Sequence, residues 1–386
     1  MQAIILAAGE GVRVRPLTRS RPKAMIPVAN RPIIEFVIDA LLKNGIRDIV
    51  VVVGYRKEQV TRFLNGLGVP IEVVVQEKQL GTAHALQCAE SKIDGDFLVL
   101  PGDNYIDPQS IARIRDASAN AILIKEHLNP SNFGVVLVEN GLVTDIIEKP
   151  AHAPSFMVST GICSLKKSFF SYIDSPNITS AISGMIQAGE QIRAVTADDW
   201  QDAMYAWDML KMNRRLLKNF PPGKREGTAS RQTVIQGPVN IGRGTTIGPN
   251  TVITGPVVIG NDCTLGPNCV ILPYTSIGSR VSLDPFTVIG DAIVMDDTVI
   301  GSHSRIVETV IGERCTLADH TSVSATSGLM DIEGLTIRSE FGAILGDNIT
   351  SGPFTTYKNS VIGNNVMIEG QERITSRTIP DGSMVI

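Results

Sequence analysis

From Ile235 onward, aliphatic residues return every six positions: Ile235, Ile241, Ile247, Ile253, Ile259, Leu265, Ile271, Ile277, Leu283, Ile289 and Met295. Glycine follows directly at 242, 248, 260, 266, 278 and 290. A period of six matches neither an α-helix, whose apolar face returns after about 3.6 residues, nor the simple alternation of a strand. It suits a solenoid in which each hexad forms one side of a triangular coil, with the aliphatic pointing inward and Gly or Asn turning the corner. The period shortens by one residue between Met295 and Ile300, and again between Ile306 and Ile311. It is lost from Ser324 to Phe341 and returns at Leu345-Gly346 and Ile362-Gly363, so the irregular stretch is expected to loop out of the solenoid.

The first 220 residues read differently. Strand-like apolar runs alternate with helical patterns, which points to an α/β domain. Gln2 to Ala7, Ile46 to Val53, Ile71 to Gln76 and Phe97 to Pro101 read as strands; Pro32 to Asn44, Lys57 to Asn65 and Thr82 to Ser91 read as helices. Beyond Asn120, strands joined by turns follow at Ala121 to Glu126, Phe133 to Val138, Leu142 to Glu148 and Val158 to Leu165, with Asn140-Gly141 as a hairpin turn. Helices near Ile178 to Gln187 and Met204 to Asn219 complete this part, and Phe220 to Gly227 loses all periodicity. The expected division is 1–220, a linker at 221–230, and a solenoid over 231–386.

Between the first strand and Lys23 runs Leu6-Ala-Ala-Gly-Glu-Gly-Val-Arg-Val-Arg-Pro-Leu-Thr18. A loop leaving the carboxyl end of a buried strand sits where open α/β sheets bind ligands. Gly9 and Gly11 let backbone N–H groups approach an anion, and Arg13, Arg15 and Lys23 add positive charge, so the loop reads as a phosphate cradle. The dinucleotide fingerprint fails for want of a glycine at Val14, and the P-loop fails for want of Gly-Lys-Ser/Thr.

What remains, Gly-x-Gly-x-Arg with Pro22-Lys23 downstream, resembles the signature of the sugar-1-phosphate nucleotidylyltransferases; Val12 stands where that family usually has Thr. The resemblance implies a Rossmann-like domain with a mixed sheet flanked by helices. It implies Mg²⁺-dependent transfer of a nucleotidyl group from UTP or dTTP to a hexose-1-phosphate, with glucose-1-phosphate the favoured sugar. Arg13 and Lys23 would be catalytic, and Leu6, Ala7, Ala8, Gly9 and Gly11 would hold the nucleotide. Gln76 and Gly81-Thr82 would read a pyrimidine base. Asp103, in Gly102-Asp-Asn104 at a strand's carboxyl end, would touch the nucleotide and ligate the metal with Asp202 of Trp200-Gln-Asp202, although Ala203 replaces the family's glycine. Gly134, Glu148, Lys149, Thr160 and Gly161 match three successive sugar-phosphate-binding elements.

The solenoid resembles the left-handed parallel β-helix of hexapeptide-repeat proteins. Two roles follow from that resemblance: assembly of a homo-oligomer, a trimer or a multiple of it, or acetyl transfer to glucosamine-1-phosphate as in bifunctional uridylyltransferase/acetyltransferases. His303 is the candidate base for acetyl transfer. The Ser-Arg-Ile-Val-Glu after it lacks the relatives' Tyr-Val-Gly-Asp, so weak or absent acetyl transfer is expected. A third reading is a non-catalytic sugar-nucleotide sensor and scaffold.

Net charge is −4 and no basic run is interleaved with aromatics, which argues against nucleic acid as a partner. No apolar run reaches bilayer-spanning length and the N-terminus opens into a strand, so a cytoplasmic protein without membrane association is expected. Cys88, Cys163, Cys263, Cys269 and Cys315 form no Cys-x-x-Cys pair and are expected as reduced thiols.

Overall fold

The computed structural model describes residues 1–117, 120–220, 223–332 and 334–386. Part of the expected linker, Pro221 and Pro222, therefore lies outside the described residues. The chain forms two compact units: Met1–Glu10, Pro22–Met25 and Ile33–Asp202 in the first, and Gly11–Arg21, Ile26–Pro32 and Ala203–Ile386 in the second. Helix Asp208–Lys218, which the sequence division counts with residues 1–220, groups by its contacts with the second unit.

The first unit is built on a nine-stranded mixed sheet. Its order is Ile71–Val75, Ile49–Val53, Gln2–Ala7, Phe97–Pro101, Met157–Leu165, Ala121–Glu126, Arg193–Thr196, Leu142–Glu148, Gly134–Glu139. The first four strands run parallel, and Met157–Leu165 is antiparallel to both of its neighbours. Alternation along the first strand sends Ala3, Ile5 and Ala7 into one core and Ile4 into the other, so both faces of the sheet are covered. The Asn140-Gly141 turn has φ of 51° and 79°, both in the left-handed region that such a two-residue hairpin turn demands.

Among the elements absent from the sequence reading are a helix and a sheet strand of this unit. Helix Pro108–Asp116 is capped by Asp107, whose carboxylate accepts from the Ser110 N–H at 3.0 Å, with Pro at its first position. Strand Arg193–Thr196 pairs in parallel with Ala121–Glu126; Ala194 and Val195 are its partly buried members, too few to stand out as a pattern.

The second unit contains the parallel β-helix. Ile235 pairs with Ile253, and successive coils stack at a spacing of 18 residues. After Ile289 the spacing falls to 17, and the first slip is corrected: it lies between Ile289 and Val294, because Val294 and not Met295 is the inward residue paired with Ile277. The inward aliphatics make one continuous core from Val239 to Ile379. Buried threonines tie one coil to the next: Thr245 and Thr251 donate to the carbonyls of Gly260 and Gly266 at 2.8 and 2.9 Å.

One expectation about the corners is corrected. Asn does turn the corner, at Asn250 and Asn268 as Asp262 does, at φ of 55–59°, but the glycine directly after each aliphatic does not; the corner lies two residues beyond it. The glycine has another role: a Cβ on Gly260 would lie 2.4 Å from the carbonyl oxygen of Gly278 in the next coil, so only hydrogen fits between stacked turns. The irregular stretch is an antiparallel hairpin, Thr326–Ile332 with Leu335–Phe341, between two coils that stack on each other without it.

Candidate active site

Strands Gln2–Ala7 and Phe97–Pro101 end side by side, and the Gly102 N–H donates to the Leu6 carbonyl at 2.9 Å, which brings Asp103 to the carboxyl edge of the sheet. A short antiparallel ribbon delivers the second carboxylate: Trp200–Asp202 pairs with Asn104–Ile106, with Asp202 opposite Asn104. Lys23 enters from a 3-10 turn, Lys23–Met25, closed by the Met25 N–H on the Pro22 carbonyl at 2.9 Å. Its ammonium lies 2.9 Å from Asp103 and 2.9 Å from Asp202. Three residues singled out from widely separated motifs thus share one point.

Lys23 is 8% exposed. Burial alone would depress its pKa, but attraction to Asp103 and Asp202 and the hydrogen bonds it donates to both outweigh that effect and hold it above the ordinary lysine value. Asn104, with its amide oxygen toward the Trp200 indole N–H at 3.3 Å, donates to Asp202 at 2.9 Å and to the Asp103 carbonyl at 3.2 Å. Neither Asn104 nor Trp200 was among the expected site residues. The Asp-Asn and Trp-x-Asp pairs are the local signals that name them.

The base-reading residues also meet. The Gln76 amide, 4% exposed, donates to the Gly81 carbonyl at 3.1 Å and lies 2.9 Å from His84 Nδ1. Gly81 has φ of 130°, and a Cβ there would stand 2.4 Å from the Pro176 carbonyl oxygen. That same carbonyl accepts the Ala83 N–H at 2.8 Å, and the Thr82 hydroxyl accepts the Ile178 N–H at 3.2 Å. The helix start Thr82–Cys88 is therefore packed against Pro176–Ile178, and its Ala83 N–H is committed there.

Of the sugar residues, Gly134 pairs with Glu148 across a hairpin, and Thr179 donates to Glu148 at 2.8 Å. Lys149 is half-exposed and reaches Glu148 at 3.4 Å. Thr160 is 2% exposed and its hydroxyl donates to the Leu123 carbonyl at 2.8 Å, so any sugar contact there falls to backbone groups. Gly161 sits at the bulge between Ser159 and Cys163, against Pro101. Ala7 and Ala8 are buried beside Gly9, and the Ala8 carbonyl accepts the Tyr55 N–H at 2.9 Å.

Gly11 and Arg13 belong to the second unit. Gly11, at φ 77°, accepts from the Val14 N–H and from the Thr18 hydroxyl, both at 3.0 Å, and Arg13 lies half-buried in the 3-10 turn Val12–Val14. His303 is exposed at a corner of the β-helix with φ of 55°. It stacks on Phe286 at 4.8 Å and on His320 at 5.1 Å, and His320 in turn stacks on Phe354 at 4.6 Å.

The Asp103–Asp202 pair fits a hard divalent ion. Both carboxylates already converge on one cation, the Lys23 ammonium, and Mg²⁺ needs just one or two carboxylates beside water and phosphate oxygens. Among the described residues no group of three or more His, Cys, Asp or Glu side chains forms a cage, which is what a tightly coordinated zinc would need. No helix among the described residues is long and apolar enough to cross a membrane.

Residues 2–219 match the Nucleotidyl transferase family, and residues 253–379 match the GMPPB C-terminal domain. The bifunctional protein GlmU of Methanococcus maripaludis is 36% identical over 96% of this chain and 95% of its own length. The UTP–glucose-1-phosphate uridylyltransferase AglF of Haloferax volcanii is also 36% identical, over 56% of this chain and 96% of its own. A solved structure of a putative glucose-1-phosphate thymidylyltransferase from Bacillus anthracis is 27% identical, with a TM-score of 0.52 over 58% of this chain and 98% of that one. With the Lys23–Asp103–Asp202 cluster at the sheet edge and likeness to these enzymes over the whole first 219 residues, the chain belongs to the Nucleotidyl transferase family and is a sugar-1-phosphate nucleotidylyltransferase.

Proposed function

We propose that the chain is bifunctional: its nucleotidyl transferase part moves UMP from UTP to N-acetylglucosamine-1-phosphate, and its β-helix supplies that sugar by acetylating glucosamine-1-phosphate. The observation that carries this is the extent of likeness. The Methanococcus protein called bifunctional is matched across 96% of this chain, solenoid included, whereas the Haloferax glucose-1-phosphate enzyme accounts for 56%. Glucose-1-phosphate with UTP or dTTP, the reading favoured by sequence alone, becomes the second reading and rests on that shorter likeness. A sensor without catalysis has no use for a buried lysine held between two carboxylates.

In the nucleotidyl step a phosphate oxygen of the sugar attacks the α-phosphorus, the bond to the β,γ-phosphates breaks, and pyrophosphate leaves with the electron pair. The protein's part is to position the two substrates and neutralise their charge. Lys23 and Arg13 supply fixed positive charge to the triphosphate, and the backbone of Leu6 to Gly11 holds it. Asp103 and Asp202 would hold Mg²⁺, which when bound offsets phosphate charge. Gln76 offers an amide to the pyrimidine edge, in place of its contacts with Gly81 and His84. Glu148 and Lys149 take sugar hydroxyls and the sugar phosphate.

On this reading the weak or absent acetyl transfer expected from the run after His303 is set aside: the sugar amine attacks the thioester carbonyl, the C–S bond breaks with its electron pair on the departing sulfur, and His303 accepts the amine proton and passes it to that thiolate. The division of labour follows 1–220 for nucleotidyl transfer, 221–230 as linker and 231–386 as β-helix, and the β-helix also supplies the contact for a homo-oligomer. The test is a substrate panel. Pyrophosphate release is measured with UTP and dTTP against N-acetylglucosamine-1-phosphate and glucose-1-phosphate, with and without Mg²⁺, alongside thiol release from acetyl-CoA with glucosamine-1-phosphate. Preference for UTP and the acetylated sugar, with thiol release abolished by His303→Ala, is expected. Turnover of glucose-1-phosphate alone without thiol release would return the function to the second reading.

A further inference from the structure

Two residues before Lys23, Arg21 is 7% exposed and belongs to the second unit. Its guanidinium donates to Glu313 at 2.6 Å and to Asp347 at 2.7 Å, and lies 3.3 Å from the Met295 sulfur. Ser20 donates to the same Asp347 oxygen, the Asn364 amide donates to the Pro16 carbonyl at 3.3 Å, and Arg19 pairs with Asp381 at 3.2 Å. The segment from Pro16 to Arg21, between Arg13 and Lys23, is thus held by four successive coils of the β-helix, through Glu313, Asp347, Asn364 and Asp381.

The β-helix carboxylates on this face exceed what the solenoid itself needs. At several coils the residue that follows a glycine placed after an inward aliphatic accepts an N–H from the preceding coil. Asn261 does so for Arg243 at 2.9 Å, Asp347 for Glu313 at 2.8 Å, and Asn364 for Asp347 at 2.6 Å. Asparagine fills this role as well as aspartate does. In Asp347 one oxygen takes the Glu313 N–H and the other takes Arg21 and Ser20, so its negative charge serves the loop. Asp347 is 2% exposed, and a carboxylate so buried would carry a large desolvation penalty without that partner.

We propose that Arg21 is a positioning residue through which the β-helix sets the geometry of the triphosphate loop, so that nucleotide affinity depends on Asp347 and Glu313. The inference rests on the proposed role of residues 6–23 in holding the triphosphate. A guanidinium fork on two carboxylates fixes both position and orientation, which a single ammonium cannot reproduce. The Haloferax enzyme is aligned over 56% of this chain. In this chain the loop has been tied to the solenoid.

The test uses the full-length protein. Binding of UTP with Mg²⁺ in the absence of sugar phosphate is measured by calorimetry, and steady-state pyrophosphate release gives kcat and KM, for Arg21→Ala, Arg21→Lys and Asp347→Asn. Arg21→Ala and Asp347→Asn are each expected to weaken UTP binding about tenfold or more, in line with the sensitivity of such sites to misplacement of about 1 Å, and Arg21→Lys is expected to recover part of the loss. Arg280→Ala, which breaks the equivalent surface pair with Asp296 and Asp297, should leave UTP affinity unchanged. Asp347→Asn keeps the inter-coil hydrogen bond, so it reports on the loop even if Arg21→Ala fails to fold. UTP affinity and kcat within about twofold of wild type in folded Asp347→Asn and Arg21→Lys, or an equal loss in Arg280→Ala, would overturn the proposal. Normal UTP binding by Lys23→Ala would instead sink the underlying reading of the loop.

Discussion

Lys23 and Asp202 stand 179 residues apart in the chain, and their charged groups meet at 2.9 Å. The partnership converts two motifs that are ordinary in isolation, a Pro-Lys dipeptide and a Trp-x-Asp strand, into one charge centre that also includes Asp103. Substitution at this centre gives the first expectation. Lys23→Ala and Asp103→Ala should each lower nucleotidyl turnover at least about a hundredfold, since each removes charge neutralisation developed for the transition state. Pyrophosphate release at saturating Mg²⁺ measures this. Turnover near wild type in both variants would remove these residues from the chemistry.

The same cluster has a defined pH signature. The folded-state pKa of Lys23 is raised above its unfolded value of about 10.4, so the stabilisation from its ion pairs is fully present below that value and is lost as pH rises through the folded one. The stability difference between wild type and Lys23→Met should therefore be constant from about pH 6 to about pH 9 and shrink above about pH 10. Denaturant unfolding at several pH values measures it. A difference that already falls between pH 7 and 9 would mean that the lysine titrates there.

Thiol chemistry offers an independent check on the fold. Cys88 is partly exposed, while Cys163, Cys263, Cys269 and Cys315 are buried. Burial pushes Cys163 and Cys315 up to about 12, far from the thiolate range at neutral pH. Native protein at pH 8 should react with a chromogenic disulfide at one thiol per chain, and all five should react on unfolding. Rapid reaction at two or more sites would contradict the burial of the other four thiols.

Truncation should do more than shrink the assembly. A chain ending at Arg225 loses the partners of Arg21, and also two of the three partners of the fully buried Asn213, the Ser276 hydroxyl at 2.6 Å and the Tyr274 carbonyl at 2.9 Å, while the Ala29 N–H remains. It loses the Asp291 partner of Arg214 as well. The hydrogen bonds and ion pairs so lost are each worth about 0.5–3 kcal/mol net. The truncated chain is expected to show fewer protomers by light scattering and a lower unfolding midpoint than the full chain. An unchanged protomer count would contradict the proposed role of the β-helix in assembly, and an unchanged midpoint would contradict the structural role of these contacts.

The hexad repeat was legible because a solenoid makes the same local demand at every turn: an inward aliphatic at Ile253 and Ile271, and a side-chain-free residue at Gly260, where the next coil presses. The strands and helices of the first half were legible for the same local reason, with Phe97–Pro101, Ala121–Glu126 and Ile178–Gln187 falling where their patterns put them. Helix Pro108–Asp116 has few apolar positions, and Arg193–Thr196 is short and half-buried, so neither stands out until the neighbouring strand is in place. Motif order pointed to Lys23, Asp103 and Asp202 as separate residues. That they converge was decided by the pairing of Trp200–Asp202 with Asn104–Ile106, a contact between segments about a hundred residues apart that no local pattern encodes. The commitment of the Thr160 hydroxyl to Leu123, of the Ala83 N–H to Pro176 and of Arg21 to Asp347 was likewise decided by tertiary structure. A hydrogen-bonding side chain announces its chemistry in the sequence, but its partner is chosen by whichever group the fold buries beside it.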